Sequence, residues 1–153
     1  MLTALQRLST SEVELMMKAP LLVCILIAGA DNEIDKTEIN GAIELIRKGK
    51  FIGSLNEYYK EVAEDFEEKF KLLLKELPRE SSKRNSSVVE ELSQLNEIFP
   101  KMKKSVAGDF YKSLRYIAKK MAETSGGILG VNAVGAEEMK FLGLPMIKDP
   151  AAS

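Results

Sequence analysis

Between Leu55 and Leu77 the large apolar residues stand at Leu55, Tyr59, Val62, Phe66, Phe70, Leu73 and Leu77, always three or four positions apart. That spacing winds one continuous apolar stripe along a helix. Glu57, Lys60, Glu61, Glu64, Glu67, Glu68, Lys71 and Lys75 take the other face. A helix with such a stripe must bury it, and the rest of the chain offers further helices to do so. Alternating apolar and polar runs, the mark of half-buried strands, are nearly missing. The expectation is an all-α fold.

The helix boundaries come from caps and breakers. Ser11-x-x-Glu14 reads as a capping box before a short helix. Pro20 suits the first turn of a second helix, which carries the apolar run Leu21–Ala28. Asp35-x-x-Glu38 opens a helix to about Lys48, where Gly49 can end it. Ser54-x-x-Glu57 opens the striped helix, expected to be the longest. Pro78–Asn85 is polar, rich in turn formers, and reads as a connecting loop. Ser87-x-x-Glu90 starts a helix with Val89, Leu92, Leu95 and Ile98, interrupted at Phe99-Pro100. Another covers about Lys101 to Glu123, with Val106, Phe110, Leu114, Ile117, Ala118 and Met121 inward and Gly108 weakening its early part. A glycine-rich segment, Ser125–Asn132, precedes a last helix from about Ala136 to Leu142. Pro145 and Pro150 limit any helix beyond Leu142, and the C-terminal end is expected to fray. Each half is small for a core of its own, so the chain reads as one domain over residues 1–153, with its core at about 10–145 and a tail at 146–153.

Composition closes off several functions. A chain of 153 residues can bury roughly 70% of its unfolded surface without staples. Its net charge of −1 argues against nucleic-acid binding by bulk charge. Histidine is absent, which removes Ser-His-Asp and Cys-His nucleophile systems and imidazole metal ligands. The single cysteine, Cys24, lies in the apolar run and reads as a buried inert thiol. The run Leu21–Ala28 is too short to span a bilayer, and Met1–Arg7 lacks the pattern of a signal peptide. A reducing, cytoplasmic setting is expected.

The segment Ala30-Asp31-Asn32-Glu33-Ile34-Asp35-Lys36-Thr37-Glu38 attaches four carboxylates to the end of the apolar helix. Alternating Asp31, Glu33 and Asp35 could direct two oxygens one way, and the preceding helix presents its free carbonyls nearby. A hard divalent cation, Ca²⁺ or Mg²⁺, would relieve that repulsion. The spacing is not that of an EF-hand, because Lys36 stands where that loop needs glycine. Capping fully explains Asp35 and Glu38, Asp31 and Glu33 also read as solvated turn residues, and this structural reading outweighs a metal site because nearly every helix has a cap. A second place repeats the plan: Ala122-Glu123, a turn, then Glu137 and Glu138. These three acids are candidates to complete the shell.

On those residues the chain resembles the tellurite-resistance TerB-like family, whose corresponding stretch reads Ala-Asp-Gly-Glu-Ile followed by a cap and an acid. Asn32 stands at the glycine position here, and asparagine also tolerates a left-handed turn. Glu123 stands where the second family motif has an aspartate. The resemblance spans residues 10–145 with a specific part of about nine residues. It implies a helical domain of about seven helices in two pseudo-repeated halves, acidic sites that can take metal, and a link to stress response.

The segment Gly126-Gly127-Ile128-Leu129-Gly130 lacks the Gly-Lys-Ser/Thr of a phosphate cradle and comes after a helix, so it reads as a loop whose Ile128, Leu129 and Val131 either pack inward or offer a small apolar patch to a partner. Lys101, Lys103, Lys104, Arg115, Lys119 and Lys120 make the later half locally basic. Tyr58, Tyr59, Tyr111 and Tyr116 read as core-edge residues. No nucleophile stands beside a base and no cofactor motif is present. The expected function is non-enzymatic binding or regulation, with a divalent cation at the acidic turn. The alternative is a metal-free module for a protein partner.

Overall fold

The computed structural model describes residues 5–29, 34, 36–49, 51, 55–126 and 140–152. All regular structure among them is helical: α1 (Thr10–Ala28), α2 (Lys36–Lys48), α3 (Asn56–Ala63), α4 (Phe66–Glu76), α5 (Ser81–Ser93), the single turn α6 (Leu95–Ile98) and α7 (Lys104–Gly126). Six of these, counting helices of eight residues or more among the described residues, stand against the seven expected. Most of the expected last helix, 136–142, lies outside the described residues.

Helix α1 is the centre. Every residue from Leu21 to Ala28 is buried, which a helix tolerates only when neighbours enclose it on all sides. It packs chiefly against α7 and α5, with α3, α4 and α6 adding smaller contacts, while α2 lies on α7. Cys24 is wholly buried there, and desolvation pushes its thiol far up from the ordinary range. The expected inert thiol is what the structure holds.

Several boundaries differ from the sequence reading. The capping box is Ser9 with Glu12, not Ser11 with Glu14: the Glu12 N–H donates to Ser9 Oγ at 3.2 Å and the Ser9 N–H donates to the Glu12 carboxylate at 2.9 Å. Two short helices were expected around Pro20, yet α1 runs through it. Pro20 has no N–H for the Met16 carbonyl four residues back. The hydroxyl of Tyr58, on α3, donates to that carbonyl instead. A tertiary contact thus supplies the bond that proline removes.

The striped helix is also two helices. Glu64 is extended and Asp65 is left-handed at φ 56°, a conformation aspartate accepts more readily than most residues. The stripe itself holds: Leu55, Tyr59, Val62, Phe66, Phe70 and Leu73 are all buried, and Leu77 at its end is half-buried. The expected loop 78–85 is shorter, because α5 begins at Ser81. Finally, the tail is docked rather than frayed. Leu144 and Ile147 are buried, and the Asn96 side chain holds the backbone at two points, donating to the Met146 carbonyl at 2.9 Å and accepting from the Lys148 N–H at 2.8 Å. Leu144 sits at φ 51°, strain that its complete burial offsets.

Tyr58 and Tyr59 are fully interior rather than edge residues; Tyr116 is the exposed one. Tyr59 stacks on Phe51 with centroids 3.7 Å apart and shares a 2.7 Å hydrogen bond with Ser113 of α7.

The α1 cap is also tied by charge to the short turn Phe99–Lys101 that precedes α7. Lys101 Nζ lies 2.5 Å from the Glu12 carboxylate. That ammonium, then the Ser9 N–H, holds the Glu12 carboxyl below its ordinary value of 4.5. A lowered folded-state pKa stabilises fully above the unfolded value and loses that contribution as pH falls through the lowered one. Glu12→Gln should therefore flatten the acid limb of a Tm-against-pH curve below about pH 4.5. An unchanged acid limb would exclude Glu12 as a contributor.

Candidate functional site

The end of α1 positions the acidic segment. The helix closes with the Gly29 N–H donating to the Ile25 carbonyl at 2.9 Å. Ile34, half-buried, packs against the core just before α2.

Of the seven candidate ligands, Asp31, Glu33, Asp35, Glu137 and Glu138 lie outside the described residues. Glu38 is half-buried in the first turn of α2. Glu123 is exposed near the end of α7 and pairs with Lys120 at 3.4 Å. Among the described residues no group of three or more acids or cysteines is placed to hold a metal.

A residue that the sequence reading passed over dominates this end of α1. Arg84, in the first turn of α5, is 5% exposed. Its Nη2 donates to the Gly29 carbonyl at 2.6 Å and its Nη1 to the Arg79 carbonyl at 3.4 Å. The C-terminal carbonyls of α1 carry the negative end of the helix dipole. A guanidinium is always charged and brings its donors in a rigid fork. It is thus a built-in cation at the point where the acidic segment leaves the helix. The fit is close. A Cβ added at Gly29 would fall 2.5 Å from Arg84 Nη2 and 2.9 Å from Ile34 Cγ1.

A signal for Arg84 was present. Arg84, Val88 and Leu92 stand four apart and share one buried face of α5, with buried Asn85 beside them. Extending the apolar stripe of α5 backwards by one turn would have found both polar residues. The charge at 84 and the serines around it pointed to a loop instead.

Among the described residues, this end of α1 offers no activated nucleophile. The Cys24 thiol is buried and raised, and Tyr58 and Tyr59 are likewise pushed up by burial and hydrogen-bonded in the core. Among the described residues no helix is long and apolar enough to cross a membrane. No family model, curated protein or solved structure matches the chain.

Proposed function

We propose that this chain is a non-enzymatic, TerB-like helical binding domain whose acidic turn is balanced by its own arginine rather than by a metal ion. The observation that carries this reading is the Arg84 guanidinium, buried and 2.6 Å from the Gly29 carbonyl. A divalent ion bound beside the end of α1 would be repelled by that charge. The carboxylates of the turn would have to overcome that before gaining anything. With that charge supplied from inside, the carboxylates of the acidic segment are left to meet a protein partner. Through the family resemblance, such a domain acts in tellurite or other stress responses.

Calorimetric titration of the intact chain with Ca²⁺ and Mg²⁺ tests the reading. The expected result is no saturable binding up to about millimolar concentration, the weak end of protein calcium sites. Stoichiometric saturation at or below that level would favour the competing reading, in which Asp31, Glu33 and Asp35 ligate a cation with help from Glu38, Glu123, Glu137 or Glu138. Capture of a partner should likewise survive EDTA, and loss of capture on chelation would overturn the metal-free reading.

A further inference from the structure

A second feature lies near the start of α1, away from the acidic segment at that helix's other end. Between α1 and α4 runs a groove of about 330 Å³. Half-buried Val13 and Met17 of α1 and buried Leu73 of α4 line it. Leu72 forms its lip and is 57% exposed. A lone exposed leucine is ordinary, but this one continues an apolar surface instead of interrupting a polar one.

The charges around Leu72 are arranged symmetrically. Lys69, Leu72 and Glu76 are all exposed and stand three and four positions apart, so they share one strip of α4. Along the helix axis Lys69 precedes Leu72 by about 4.5 Å, and Glu76 follows it by about 6 Å. A second α4 laid antiparallel on the first, with the two leucines in contact, thus brings each Lys69 opposite the partner's Glu76. This is the self-complementarity of a two-fold interface, in which residue i meets j and j meets i. The α1 wall of the groove carries Glu14 and Lys18, one charge of each sign, and Lys18 already pairs with Glu91 at 2.7 Å. On α4, Glu67 and Lys71 pair with each other at 3.5 Å. Lys69 and Glu76 enter no ion pair among the described residues.

We propose that this strip is a self-association surface: two copies of the chain pair through α4, antiparallel about a two-fold axis at Leu72, with each Leu72 over the other copy's groove and Lys69 opposite the partner's Glu76 at both ends. The apolar contact supplies the attraction, and the crossed charges fix orientation and register. One eleven-residue helix against its copy buries less than the roughly 800 Å² per partner of a standard interface. The dimer is therefore weak, with a Kd on the order of 100 µM.

The test is sedimentation velocity of the full chain between about 10 µM and about 1 mM, a range that brackets the expected Kd. A reversible monomer–dimer equilibrium is expected, and Leu72→Glu should abolish it. Lys69→Glu and Glu76→Lys should each weaken it about tenfold, because each sets like charges against one another at both ends of the interface. An equimolar mixture of those two variants should dimerise again, since each offers the other the opposite charge at both positions. All three residues are exposed, so circular dichroism and Tm should stay near those of the parent chain. A parent chain still monomeric at the highest concentration leaves the groove to a different occupant and overturns the proposal. So does a dimer that persists in Leu72→Glu, or a mixture no more associated than either charge variant alone.

Discussion

Arg84→Met should destabilise the fold by about 1.5–3 kcal/mol, the worth of a charge-assisted hydrogen bond whose partner is left buried. Gly29 and Arg84 are both buried, so water cannot readily replace the lost donor. Arg84→Lys should recover little, because one ammonium cannot serve the Gly29 and Arg79 carbonyls with the geometry of a planar fork. Gly29→Ala should act on the same contact from the other side, since its new methyl group would displace the guanidinium. Urea unfolding followed by circular dichroism reads these differences. The substitution also bears on the acidic turn. On the proposed reading the acidic segment then loses its internal cation, so Ca²⁺ should raise the Tm of Arg84→Met more than that of the parent chain. Parental stability in Arg84→Met, or an equal response of the two proteins to Ca²⁺, would show that Arg84 does not balance the turn.

Tyr58→Phe should cost about 1–3 kcal/mol, although only one oxygen is removed. The lost hydroxyl is the donor to the Met16 carbonyl, which Pro20 leaves without its helical partner inside the core. Burial holds the Tyr58 phenol protonated, so it donates throughout the neutral range. The two residues should therefore be coupled. In a Pro20→Ala background the backbone N–H at position 20 is restored and can reach Met16, so the hydroxyl becomes largely redundant. A double-mutant cycle measured by thermal unfolding should show a coupling of about 1 kcal/mol or more. At this chain length each kcal/mol moves Tm by about 2–4 °C, well within reach of the measurement. Effects that add within about 0.5 kcal/mol would mean that Met16 finds another donor, and the bridging role of Tyr58 would be lost.

These two residues also show where a linear reading stops. The stripe from Leu55 to Leu73 was readable because a buried face imposes its spacing on the sequence directly. The burial of Cys24 and the interruption at Phe99-Pro100 were readable for similarly local reasons. Pro20 suggests a helix start because its usual meaning is local, whereas the hydroxyl that rescues the helix comes from 38 positions further along the chain. Arg84 was missed because a charge in a serine-rich stretch signals a loop, and its four-residue spacing to Val88 and Leu92 shows only that it is buried, not which carbonyl it satisfies. The break at Asp65 left no mark on the stripe, since the residues on either side keep their inward positions. Of the candidate acidic site, the four-carboxylate segment and its place after α1 came from the sequence. The charge that faces the end of α1 did not.

The amino-acid order alone determined that this chain is helical, which faces turn inward, and that histidine-based chemistry is closed to it, because periodicity and composition are local or additive properties. Only the tertiary structure decided how the ends and interruptions of those helices are satisfied. Tyr58 answers Pro20, Arg84 answers Gly29, and Asn96 holds the tail. Each is a hydrogen bond between residues more than 35 positions apart. A buried polar group must find a partner wherever the fold brings one, and no pattern along the sequence names which partner that will be.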